Sequence, residues 1–216
     1  MIAYNANAAS AGGHRTKEVY NVYKDYPGGR QLSEPVSDFL ARLPPYSTRI
    51  EDCGPWLYIS NPTYNPAKTR EDVRGFKEQG NRLLSGFSAQ RADIEESGNG
   101  KSKSAITRKL NELRKQLQVD VFELARNKDV TAGKWMLFPS PGDVNRVWSL
   151  VANATANGEL GHAAKVAAND GSGDSNARLV CVYNEDFGDK REVKQVVHCL
   201  DRMGLIAARG IYYKSE

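Results

Sequence analysis

The stretch RLVCVYNEDFGDKREVKQVVHCLDRMGL, residues 178–205, decides the fold. Residues 178–186 form an apolar, β-branched run closed by a polar cluster, which reads as a strand. Its apolarity is continuous rather than alternating. That is the pattern of a strand covered on both faces, so a central place in a sheet is expected. The period then changes. Val193, Val196, Val197 and Leu200 recur three or four residues apart, predicting a helix over 189–204 with those side chains inward. Asp186 or Asp189 is placed to cap it, and Gly204 to end it.

Working outward, ARGIYYK (208–214) reads as a closing strand. Upstream, HAAKVAA (162–168) is a strand joined to residues 178–186 by the polar loop NDGSGDSNA (169–177). Nine loop residues leave no room for a crossover helix, so the pair is an antiparallel hairpin. The stretch TAGKWMLFPSPGDVNRVW (131–148) contains a strand, KWMLF, and a Pro-Gly turn. A helix follows over 143–158, with Asp143 as cap or first-turn acid and Gly158 as the stop. Residues 104–126 carry Ile106, Leu110, Leu113, Leu117, Val121 and Leu124 at helical spacing, which predicts one buried stripe. This order of helices and strands predicts an α+β class: a curved, largely antiparallel sheet with helices packed on one face. The other face is then covered by the N-terminal half or used as a binding surface.

The N-terminal half is less regular. Residues 1–18 read as a flexible arm, and residues 19–216 as a single domain. SEPVSDFLARL (33–43) is a short helix, with Ser33 as its cap and Pro35 in its first turn. PWLYISNP (55–62) is a strand, 69–94 a polar helix, and 95–104 a mobile loop.

Composition narrows the class. The chain has 216 residues, 40% hydrophobic and 26% charged, ordinary values for a globular domain. No run is long enough for a membrane span, and the N-terminus lacks a secretory pattern. Three widely spaced cysteines, Cys53, Cys181 and Cys199, give no disulfide framework, so cytosol or nucleus is the expected compartment, not secretion. A net charge of +4 is compatible with RNA or another acidic partner. No cofactor is implied, and no Cys or His spacing suits a metal.

The order GKW, DVNRVW, LGHAAKV, VYNEDFGD and a closing strand resembles the C-terminal half of the mRNA cap-binding translation initiation factor 4E superfamily. PWLYISNP, LRKQLQVDVFELA, GKWMLF, LGHAAKV, VYNEDFGD and GIYYKSE bring the chain closer to the basophilic-leukaemia-expressed (Bles) family, whose fold is like the cap-binding factor. These motifs span residues 55–216. Bles-like chains usually run on past the YYK strand, so the resemblance implies that a sequence ending at Glu216 is a shortened form. Cap-binding members stack methylated guanine between two loop tryptophans beside a glutamate, and hold phosphates from the strand that here reads AAKVAAND. This chain departs from that pattern. It has no Trp-Glu pair, Ala167 stands where the family has arginine, and Lys165 lies two residues earlier on the same face. By motif, Trp135 and Trp148 fall on a structural strand and helix, and Trp56 on an early strand. The two are expected to be core rather than a stacking platform.

The candidate site follows from strand alternation. Trp135 inward puts Lys134 on the opposite face, where Lys165, His162 and Arg209 can join it as a phosphate or anion site. A second electrostatic footprint, for RNA backbone, is Lys101, Lys103, Arg108, Lys109, Arg114 and Lys115, opposed in that stretch only by Glu112. No motif specifies an enzyme class, and no catalytic residue is assigned. The expected function is a nonenzymatic module binding RNA, a nucleotide or another anionic ligand. The alternatives are an enzyme acting on a phosphorylated ligand through Lys134, His162 and Lys165, or a protein-interaction domain with a degenerate ligand site. Oligomeric state is left open.

Overall fold

The computed structural model describes residues 21–64, 71–98, 102–173, 176–208 and 210–216. The expected arm, residues 1–18, lies outside them. In chain order the elements are α1 (Val36–Arg42), α2 (Ile50–Cys53), β1 (Trp56–Ser60), α3 (Val73–Glu96), α4 (Lys103–Asn127), β2 (Gly133–Leu137), α5 (Val144–Ala156), β3 (Ala163–Ala167), β4 (Val180–Asn184), α6 (Lys190–Arg202) and β5 (Tyr212–Ser215). The class is α+β. The five strands form one open sheet in the order β1-β3-β4-β2-β5, and every neighbouring pair is antiparallel. The apolar strand β4 sits at its centre.

Register assigns the two faces. Leu57, Ile59, Ala164, Val166, Val180, Val182, Asn184, Trp135, Leu137 and Tyr213 point one way. Against them pack Phe39 and Leu43 of the α1 segment, Val144, Val147, Trp148 and Val151 of α5, and Val196, Cys199 and Leu200 of α6. Trp148 is 0% exposed and meets Phe39 edge-on, ring centres 6.4 Å apart. Trp135 is half-buried on the same face. Its indole N–H donates to the Val193 carbonyl at 3.3 Å, and its ring meets Tyr213 edge-on. Both tryptophans of the 131–148 stretch are therefore packing residues.

Several local expectations are corrected. The first helix starts at Val36 behind Pro35, and Ser33 does not cap it. The loop expected over 95–104 is shorter at both ends: α3 runs to Glu96 and α4 begins at Lys103, capped by Ser102, while residues 99–101 lie outside the described residues. Asp189, not Asp186, caps α6, accepting from the N–H groups of Arg191 and Glu192. Asp143 stands at the N-cap of α5 without a capping bond; Arg146 holds its carboxylate instead. Val193 and Val197 are only half-buried.

The largest difference concerns 104–126. The stripe on α4 does not reach the sheet core, and only Leu124 and Ala125 of this helix are buried. It faces α3, which has no buried residue. The helices, 24 and 25 residues long, form a two-helix arm. Its base is fixed where Lys128 pairs with Asp72 at 2.7 Å and the Asp72 N–H donates to the Lys128 carbonyl. Phe122 and Phe187 join the base to the β4–α6 turn, ring centres 5.2 Å apart.

Candidate functional site

The other sheet face carries Trp56, Tyr58, Lys165, Cys181, Tyr183, Lys134, Met136, Tyr212 and Lys214 by register. Near β1 it is covered by the segment before α1. The Arg30 N–H donates to the Tyr58 carbonyl, and the Tyr58 N–H to that of Gly28. Tyr23 then stacks on Tyr58 with ring centres 4.5 Å apart, while Tyr26 meets it edge-on. Burial beside Tyr58 pushes the Tyr23 hydroxyl up to about 12, so it stays neutral at ordinary pH.

Toward the sheet centre lies a cluster of cations and rings. The Lys165 ammonium sits 4.2 Å from the centre of the Trp56 ring and 5.5 Å from that of Tyr183. Lys134 approaches Tyr183 from the next strand, 5.6 Å from its centre, and pairs with Glu216. Lys165 differs: among the described residues it forms no ion pair. Burial holds its ammonium below the ordinary lysine range, with Lys134 acting in the same sense and Cys181 and Glu216 in the opposite one. Cys181 is fully buried on this face. Burial raises its thiol, and both lysines act in the opposite sense. The Tyr183 hydroxyl is raised far above its ordinary value by burial and by Glu216. The arrangement is a half-buried cation held between two aromatic faces, suited to an anion carrying a flat group.

The structure thus brings Lys134 and Lys165 together. His162 lies at the strand end and reaches the same Tyr183 ring, 5.9 Å between ring centres, with Tyr64 4.9 Å away on its other contact. Burial lowers it to about 4, and its buried Nδ1 has no hydrogen-bond partner. It is a neutral imidazole among phenols rather than a third cation. Arg209 lies outside the described residues. On the arm, Lys101 is likewise outside them. Lys103, Arg108, Lys109, Arg114 and Lys115 do not form one stripe. Arg108 and Lys115, seven apart, share the outward side of α4, whereas Lys109 and Arg114 flank the α3–α4 seam from opposite sides. Among the described residues no cluster of His, Cys, Asp or Glu could hold a metal ion, and no helix is long and apolar enough to cross a membrane.

Sequence reasoning missed Trp56 and Tyr183. The signal was present in WLYIS, where aromatic and aliphatic residues alternate and mark two different faces.

These features rest on segments that match a family model. The model of the basophilic leukemia-expressed protein Bles03 family matches residues 2–216. The chain belongs to the Bles03 family. No curated protein matches it. Within this Bles03 family member, the lysine–aromatic cluster and the strand end carrying His162 both fall inside the matched region.

Proposed function

We propose that this Bles03 family member is a nonenzymatic binding module with the architecture of the cap-binding factor superfamily. Its ligand is a nucleotide, free or within RNA, bound on the sheet face opposite α5 and α6. The observation that carries this reading is Lys165: a half-buried ammonium set on Trp56 that forms no ion pair among the described residues, the nearby Glu216 carboxylate being paired with Lys134. A phosphate supplies that charge, and the Trp56 and Tyr183 rings supply the face for a base. The antiparallel sheet with helices on one side supports the architectural likeness. With Trp135 and Trp148 engaged in packing, recognition by a pair of loop tryptophans is not part of the proposal.

The test is a titration with GTP, methylated-guanine cap analogue and a short uncapped RNA, followed by tryptophan fluorescence at two salt concentrations. Saturable binding that Lys165→Ala weakens at least tenfold is expected, with GTP and the cap analogue alike. Silence toward all three, or binding indifferent to Lys165→Ala, overturns the reading.

A further inference from the structure

The α3–α4 arm presents a groove that nothing else in the described chain fills. It runs along one side of the seam, from Gln90 and Leu113 past Leu83 and Leu117 to Asn127, with a volume of about 170 Å³ in its upper part. Leu83, Phe87, Leu113 and Leu117 are half-buried there, because each faces only the opposite helix. Two helices alone cannot bury both sides of such a stripe; four can.

We propose that the occupant is a second copy of this chain, whose arm packs on the first to form an antiparallel four-helix bundle about a two-fold axis near Leu83 and Leu117. Three observations converge. The first is charge. Arg82 stands on the α3 rim, Asp120 and Glu123 on the α4 rim, and none forms an ion pair within the described chain. A two-fold axis places α3 of one copy over α4 of the other, so Arg82 meets Asp120 and Glu123 of its mate twice over. The second is area. Helices of 24 and 25 residues are about 36 Å long, and two side by side are about 20 Å wide. Their joined faces cover about 1,400 Å² in total, a standard size for a specific interface. The third is Gly86. It lies in the groove, and a Cβ there would meet nothing within 4 Å. A glycine inside a helix costs about 1 kcal/mol against alanine, and nothing in the chain itself needs the space. A closely approaching helix does.

Sedimentation and light scattering of the full chain should give twice 23.9 kDa at micromolar concentration. Gly86→Gln keeps the helix and fills the notch, so it should leave circular dichroism unchanged or more helical while weakening association at least 100-fold. Arg82→Glu should also weaken it, and adding Asp120→Lys with Glu123→Lys should restore it. A monomeric wild type at 100 µM overturns the proposal, as does a dimer indifferent to both Gly86→Gln and Arg82→Glu. A shift in mass seen only with added RNA overturns it in favour of a nucleic-acid partner. The RNA arm is run on Lys165→Ala, so that its outcome, like the others, does not depend on the sheet-face ligand.

Discussion

Lys165 and Trp56 come from neighbouring antiparallel strands, and the ammonium of one rests 4.2 Å above the ring centre of the other. The contact is diagonal in the register: Trp56 is paired with Ala167 and Lys165 with Tyr58. A lysine stem reaches across that diagonal, whereas a shorter side chain would not. Lys165→Met keeps the stem and removes the charge. It should change stability by less than about 2 kcal/mol, the upper range of a cation–π contact, while reducing GTP affinity as much as Lys165→Ala does. Urea unfolding beside the fluorescence titration separates the two effects.

His162 gives the fold a pH dependence with a defined sign. Its folded value is about 4, below its ordinary 6.5. Between those values the unfolded chain binds more protons, so stability rises with pH there and is complete above 6.5. Falling from pH 7 to 4 should cost up to about 3 kcal/mol. The facing groups, Tyr64 and Tyr183, are raised rather than lowered and do not titrate in this window. Asp72, Asp143, Asp170 and Asp189 are held below the ordinary carboxylate range and contribute only at lower pH. Glu34, held low by Arg42, adds a slope of the same sign as the pH nears 4, so His162→Phe should flatten the urea midpoint in the upper part of the window, between about pH 5.5 and 6.5; a slope equal to wild type there would contradict this.

The tryptophans should separate by mutation. Trp148→Ala opens a cavity in the centre of the core and should cost about 3–5 kcal/mol. Trp148→Phe should cost less, because the buried Trp148 Nε1 has no partner to lose. Trp135→Phe removes the bond to the Val193 carbonyl and should cost about 1 kcal/mol beyond the lost contacts. Denaturant unfolding of the three variants ranks them.

Two aspartates at helix starts make a paired test. Asp189→Ala strips two backbone donors at the start of α6 of their acceptor and should lower Tm by about 2–4 °C. Asp143→Ala, whose carboxylate pairs with exposed Arg146, should leave Tm nearly unchanged. Equal effects would mean that position in the helix, not the capping bond, sets the cost.

The C-terminal half was legible because its elements are short and differ in period. The run at β4 and the valine–leucine spacing of α6 each match one template, and the nine-residue loop leaves only a hairpin. The α2 turn was not legible, since IEDC is too short to show a period. The helical spacing on α4 is as expected, but of the stripe expected to be buried only Leu124 is. Periodicity states that a face is covered, however, not what covers it, and here α3 covers it in part. The Lys134–Lys165 pair followed from alternation alone. The neutral state of His162 did not, because it depends on burial among rings brought from Tyr64 and Tyr183.

The clip between Asp72 and Lys128 joins residues 56 positions apart. Without it, the pairing of Trp56 with Ala167 must close a very long loop before β1 can join the sheet. Arm helices that zip together locally and tie off at their base remove that detour from the search. Closure entropy grows only as the logarithm of loop length, so the gain in rate is modest. The gain in order of events is larger: the arm can assemble first, and the sheet then folds as though the chain ran almost directly from β1 to β2.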